Sequence, residues 1–242
     1  MIRQGLKIEG SLHKFCKYEN YSLFTHEELK RAIQLLGDKF GDEIRDVELE
    51  FWTPAINLPI AANPFIDRLI SIDNKPCRSM YGGSAHQCYG KYIKRTYERT
   101  KVYDKKFQTR VANRISIKDN LRIEKEINLI RANKGRTVSA YSLTLNDMLQ
   151  EEFKVFCFDQ LLHVINGFSF KVDYSSGQIK SRESLIAYSI FKDVELIDCY
   201  KKLSNPRTFR KHRAIYNSFE RGYSRTSQKN ELLNLLEEVF SK

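Results

Sequence analysis

Residues 121–127 read Leu121-Arg122-Ile123-Glu124-Lys125-Glu126-Ile127, and their alternation decides the fold. In an extended chain successive side chains point to opposite faces, so Leu121, Ile123 and Ile127 share a core-facing side while Arg122, Glu124 and Glu126 share the other. This half-buried strand reaches to Leu129 and has company upstream. Residues 78–81, 89–94 and 99–103 also read as strands, separated by turns such as Gly82-Gly83-Ser84, and together they predict an antiparallel meander.

Helical signals flank the meander. Thr25 and Glu28 have capping-box spacing and open a helix carrying Leu29, Ile33, Leu35 and Leu36, with Gly37 closing it. Residues 44–52 then alternate, predicting a strand with Val47, Leu49 and Phe51 on one face and Asp46, Glu48 and Glu50 on the other. Thr144 is the N-cap of a helix whose apolar positions run from Leu145 through Met148, Phe153, Phe156 and Leu161 to Ile165, with Gly167 as its end. That helix covers the sheet. From Ser181 onward two or three helices are expected, broken at Asn205-Pro206 and ending in a stripe of Leu232, Leu233, Leu235, Leu236, Val239 and Phe240. The class is α+β: a central antiparallel β-sheet covered by helices, with a helical C-terminal segment. Residues 1–175 form the main domain, and residues 176–242 form a basic helical region attached to it or continuous with it.

The 242 residues are 41% hydrophobic and 29% charged, a globular composition far from disordered or fibrous classes. Lys and Arg number 41 against 30 Asp and Glu, a formal charge of +11 that favours nucleic acid or another anionic partner. Five scattered cysteines without a C-x-x-C pair read as reduced thiols. No apolar run approaches the ~18–20 residues of a membrane span, and no secretory h-region is present, so a cytoplasmic protein without membrane association is expected. The five histidines form no H-E-x-x-H motif, so a metal would rest mainly on oxygen ligands.

Two acidic faces stand out. Glu48 and Glu50 share one strand face and Glu124 another, and as neighbours they would offer the oxygen ligands that Mg²⁺ or Mn²⁺ prefers. As a solvated sheet face, the same residues need no ion. The stretch Glu98-Arg99-Thr100-Lys101-Val102-Tyr103-Asp104-Lys105-Lys106 places a tyrosine among cations, with Arg99, Lys101, Tyr103 and Lys105 alternating onto one face. Cations there favour phenolate and hold a phosphate oxygen, as a tyrosine nucleophile requires. The chain has 13 tyrosines, so a structural or base-stacking role accounts for the spacing equally well.

The series Val47-Glu48-Leu49-Glu50, Tyr81-Gly82-Gly83-Ser84, Lys101-Val102-Tyr103-Asp104-Lys105-Lys106 and Leu121-Arg122-Ile123-Glu124 resembles the replication initiators of rolling-circle plasmids and the filamentous-phage replication nickase. The resemblance covers roughly residues 44 to 150. It implies that Tyr103 attacks the scissile phosphate, that Lys105 assists, and that Glu48 and Glu124, with Glu50 as a third ligand, hold Mg²⁺ or Mn²⁺. It further implies single-stranded or cruciform origin DNA as substrate, a 5′-phosphotyrosine intermediate, and a host helicase and DNA polymerase as partners of a protein that is a candidate homodimer. The interval from Tyr81 to Tyr103 is longer than in the plasmid proteins, and Glu48 stands where the family has Asp, so Tyr92 and Tyr97 are alternative nucleophiles.

Arg99, Lys101, Lys106 and Arg122 are candidate DNA contacts, as are Arg207, Arg210, Lys211 and Arg213 in the basic stretch 201–213. Such contacts position a protein on phosphates without reading sequence. A helix-turn-helix within residues 181–219 is an option without a distinctive recognition helix. Two non-enzymatic readings compete with the nickase: a DNA-binding regulator and a virion-associated nucleic-acid-binding protein.

Overall fold

The computed structural model describes residues 8–83, 86–134, 142–171, 181–191, 194–223 and 227–241. Two helices lead in: the short α1, Leu12–Lys17, and α2, His26–Phe40, whose N-terminus carries the expected capping box between Thr25 and Glu28. Gly37 does not end α2, which continues to Phe40. It is buried instead, and an added Cβ would lie 2.6 Å from the Arg45 guanidinium that packs over it.

The strand expected at residues 44–52 does not form. Asp42–Asp46 makes a 3₁₀ turn, with an Arg45–Asp42 ion pair at 3.0 Å, and only β1, Phe51–Trp52, is extended sheet. Packing explains the difference: Ile44, Leu49 and Trp52 turn into an apolar cluster with α2, while Val47 and Phe51 stay 58% and 57% exposed. The edge that such a strand would need is held by β2, Ala55–Leu58.

The helix α3, Asn63–Ile66, leads to β3, Leu69–Ile72, and β4, Lys75–Pro76, a hairpin whose two turn residues, Asp73 and Asn74, both have positive φ. That is the geometry of a primed two-residue turn. The meander follows as expected: β5, Arg78–Gly82; β6, Gln87–Lys94; β7, Glu98–Asp104; and β8, Leu121–Asn128. All pairings are antiparallel, in the order β1-β8-β7-β6-β5, with β2 also on β8. Ser84 of the predicted β5–β6 turn lies outside the described residues. Between β7 and β8 runs α4, Lys105–Asn113, capped by the Asp104 carboxylate on the Phe107 amide; α5, Leu129–Asn133, follows β8.

Beyond these, α6, Leu145–Met148, and α7, Glu151–Asn166, form the helix expected after Thr144, stepped once at Leu149-Gln150. The strand β9, Phe168–Phe170, returns to β3, completing a three-stranded sheet. The C-terminal part holds four helices among the described residues, more than expected: α8, Arg182–Phe191; α9, Val194–Leu203; α10, Pro206–Tyr223; and α11, Ser227–Phe240.

The apolar face of the meander makes the core. Ile56, Leu58, Val102, Leu121 and Ile123 meet Leu161 and Ile165 of α7, so the helix does cover the sheet. Leu232 and Leu236 of α11 are buried in the same cluster, whereas Ala187, Phe191, Phe209 and Tyr216 gather α8 to α10 around a small core of their own. The boundary expected near residue 175 lies outside the described residues. No helix among those described is long and apolar enough to cross a membrane.

Candidate active site

The opposite face of the meander is polar, and its centre is set by the register of β7 on β8. Arg99 stands opposite Glu126, Lys101 opposite Glu124 and Tyr103 opposite Arg122. Directly opposed side chains on one face of an antiparallel pair lie close enough to bond. Lys101 Nζ donates to Glu124 Oε1 at 2.9 Å and also to Glu126; Arg122 Nε donates to Glu124 Oε2 at 3.0 Å. The Tyr103 hydroxyl donates to the same Oε2 at 3.1 Å.

Glu124 is therefore the hub. Burial works against its charge, but the Arg122 guanidinium and the Lys101 ammonium outweigh it and hold the carboxyl below the usual carboxylate range. Lys101 responds in kind: burial opposes its charge, and Glu124 and Glu126 raise its pKa nonetheless. Tyr103 is only 4% exposed, and burial, aided by the charge on Glu124, pushes its phenol up against the pull of Arg122. The ring packs edge-on to Tyr89 at 6.4 Å between centroids, and Tyr89 in turn stacks on Phe107.

Lys105 reaches this cluster from a different element than expected. Residues 99 to 104 alternate as a strand, but Asp104 caps α4 and makes Lys105 its first residue. Its ammonium lies 5.9 Å from the centre of the Tyr103 ring and donates to Gln108 Oε1 at 2.7 Å. Burial, reinforced by Arg122, brings its pKa down to about 8.

That shift has a measurable consequence. The folded value of about 8 lies below the ordinary 10.5, so below pH 8 the fold carries the full cost of a buried charge. Between those values the unfolded state binds more protons than the folded one, and stability rises with pH. The difference in urea-unfolding free energy between the parent protein and Lys105→Met is expected to shift in favour of the parent from pH 8 to 10, by at most about 1.4 kcal/mol per pH unit. Taking the difference removes the background of other groups, such as the Cys77 and Cys157 thiols that burial pushes up to about 12.

The sequence alone missed several supports. Asn57 of β2 accepts from Arg122 Nη1 through Oδ1 at 3.0 Å, and Arg122 Nη1 also donates to the Asn20 carbonyl at 3.0 Å. Asn57 and Asn120 donate to the carbonyls of Ser22 and Tyr21, so the 20–22 turn is tied down over this end of the polar face. The alternation of Ala55-Ile56-Asn57-Leu58 was the available signal for β2. From Glu124 and Arg122 a broad open cleft extends between the sheet and the N-terminal segment, past Arg99, Tyr97 and Phe51.

The other predicted residues lie farther out. Glu48 is exposed, accepts from Ser142 Oγ at 3.0 Å and bridges Thr144. Glu50 is also exposed, and its carbonyl accepts from the Leu129 amide, five residues past Glu124. At ~3.3 Å per strand residue that is about 16 Å along the strand from Glu124. The structure therefore does not bring Glu48, Glu50 and Glu124 together. Both oxygens of Glu124 already accept from Lys101, Arg122 and Tyr103, and a dication there would face two cations, so this trio does not fit Mg²⁺ or Mn²⁺ as placed.

Arg99 lies over the Tyr92 ring at 4.9 Å and 4.0 Å from Glu126. Tyr92 sits on β6 across from Lys101 on the same polar face; Tyr97 lies in the β6–β7 turn. Lys106 is half-buried and paired with Asp119 at 2.9 Å. Arg207, Arg210, Lys211 and Arg213 all lie on the exposed side of α10, with Lys211 held 2.7 Å from Glu183, while Phe209, His212 and Tyr216 face inward. A sheet with a buried tyrosine, a carboxylate and three converging cations defines the class of site. In comparison with known proteins, the sequence matches no family model and no curated protein.

Proposed function

We propose that the chain is a replication initiator that nicks and rejoins single-stranded origin DNA of a plasmid or single-stranded DNA phage through Tyr103. The observation that carries the reading is the hydrogen bond from the Tyr103 hydroxyl to Glu124 at 3.1 Å, with Lys101, Lys105 and Arg122 gathered around it. A tyrosine oxygen attacks a phosphodiester when its proton has an acceptor and the phosphate has cations. As the Tyr103 Oη–phosphorus bond forms, the phenol proton passes to Glu124, and Arg122 and Lys101 hold the nonbridging oxygens. The bond from phosphorus to the 3′ oxygen breaks, and the Lys105 ammonium, with its pKa near 8, donates its own proton to that leaving oxygen, so that one proton is gained by Glu124 and one lost by Lys105. Reversal by a 3′ hydroxyl rejoins the strand. Entry of a phosphate requires the 20–22 turn to lift from Arg122 and Asn57. The exposed cations of α10 add sequence-independent grip on the DNA. A host helicase and a polymerase extending the 3′ end would complete the reaction sequence.

The test is a denaturing gel of labelled single-stranded origin-region DNA incubated with the protein, with Mg²⁺ or Mn²⁺ and with chelator. A covalent adduct is expected from the parent and none from Tyr103→Phe. An adduct retained in Tyr103→Phe moves the nucleophile elsewhere, with Tyr92 and Tyr97 next to replace.

One observation favours a second reading, a non-enzymatic DNA-binding protein. Tyr103 is 4% exposed and its hydroxyl is bonded within the fold, as suits a structural residue. Equal binding by both proteins without an adduct from either selects that reading.

A further inference from the structure

The helices α2 and α7 begin side by side, and the residues that meet there take no part in the hydrogen bonds around Tyr103. His26 is the first residue of α2 and Glu151 the first of α7. The His26 ring sits with Nε2 3.0 Å from the Met148 carbonyl oxygen. A carbonyl only accepts, so Nε2 carries the hydrogen, and in the neutral ring Nδ1 carries the lone pair. Nδ1 is buried and has no hydrogen-bond partner, on a side chain that is 9% exposed. It faces Glu151 Oε1 at 3.4 Å, and ligand atoms of His26, Glu27 and Glu151 all lie within 4.8 Å of one another.

A buried lone pair aimed at a carboxylate oxygen leaves a gap that only a positive species fills. Its width carries chemical information. Bonds of about 2.0–2.1 Å to a tetrahedral ion place adjacent ligand atoms about 3.3–3.4 Å apart, which matches the His26–Glu151 separation. We propose that His26 Nδ1, Glu27 and Glu151 bind a divalent transition metal of the zinc class. One imidazole and two carboxylates suit Zn²⁺, Co²⁺ or Mn²⁺ better than Mg²⁺, which avoids nitrogen ligands. The Met148 carbonyl acts as the outer partner that fixes the ring orientation of a ligating histidine. Three protein ligands leave a fourth position for water.

Lys30 fits as the counterion of the metal-free state. Its ammonium lies 3.0 Å from Glu27 Oε1 and 2.7 Å from Glu151 Oε1 and neutralises the carboxylates without partnering Nδ1. Glu27 and Glu151 are 80% and 73% exposed, so an ion enters directly from solvent and Lys30 swings outward as it arrives. Bound metal would staple the N-terminus of α2 to that of α7, the helix that covers the sheet. The rival occupant of the gap is a proton on Nδ1.

The test is a Zn²⁺ titration of the full chain, freed of metal, by calorimetry and by competition with a chromophoric chelator. One equivalent should bind, with a rise in thermal midpoint, and millimolar Mg²⁺ should not compete. His26→Gln keeps an amide to donate to Met148 and folds as the parent by circular dichroism; it and Glu151→Gln should each weaken Zn²⁺ binding at least ~tenfold. Lys30→Gln should tighten binding severalfold, a result that a purely structural role for these residues does not produce. Absence of binding overturns the proposal, as does Zn²⁺ binding that is unchanged in His26→Gln, which would place the ion elsewhere, for instance on the cysteines.

Discussion

Glu124→Ala is expected to destabilise the fold by about 3–5 kcal/mol, the cost typical of removing one partner from a buried ion pair. The carboxylate is 10% exposed and its two cationic partners, Lys101 and Arg122, are 16% and 12% exposed. Truncation leaves the Arg122 guanidinium without its carboxylate, leaves Lys101 with Glu126 alone and orphans the Tyr103 hydroxyl. Glu124→Gln keeps the volume and an acceptor and is expected to cost less. The pH dependence gives a second signature. The folded pKa of Glu124 lies below the ordinary 4.5, so its contribution is complete above that value and is lost as pH falls through the folded one. Urea unfolding followed by circular dichroism should show that part of the acid loss missing from the alanine variant.

Gly90→Val is expected to cost about 3 kcal/mol, at the upper end for overpacking, through the same tyrosine from the other side. Gly90 lies opposite Tyr103 in the β6–β7 pairing. A Cβ built there would be 2.5 Å from Tyr103 Cβ, 2.9 Å from the Val102 carbonyl oxygen and 3.1 Å from Tyr103 Cα. None of these atoms belongs to the flexible end of a side chain, so relief requires the two strands to part. Gly10→Ala is the control, since nothing lies within 4 Å of its added Cβ, and its effect should stay within about 0.5 kcal/mol. Thermal midpoints of the two variants would separate close approach from a general loss of glycine.

The contrast between what the sequence revealed and what it hid follows from the range of the interactions. The strands β5 to β8 were legible because each alternates locally and buries one face. The helices α2 and α7 were legible through Thr25, Thr144 and Gly167. Residues 44–52 also alternate, yet alternation is satisfied equally by either face and by an extended loop. The choice fell to Trp52, which stacks on Phe156 at 5.0 Å, and to the occupation of the β8 edge by Ala55–Leu58. Lys105 was placed on the strand because its i+2 spacing continues, whereas Asp104 bonds the Phe107 amide and starts a helix there.

The site divides the same way. Tyr103, Lys101, Lys105, Arg122 and Glu124 were all named from local pattern, and the fold brings them together. Which carboxylate meets which cation depends on register between strands, which the residues themselves do not encode locally. Glu48 and Glu50 were grouped with Glu124 on an adjacency that β2 takes instead. The His26 ring and the Met148 carbonyl that orients it are 122 residues apart, so no spacing motif could have signalled that pair.

Peptide mapping by mass spectrometry shows whether Tyr103 is the nucleophile. The protein would be reacted with a single-stranded origin-region oligonucleotide, digested with nuclease and protease, and searched for a nucleotide-bearing peptide. The nucleotide phosphate is expected on Tyr103, with Glu124→Gln greatly reducing its yield. A modified Tyr92 or Tyr97 peptide, or DNA binding without any modified tyrosine, would contradict it.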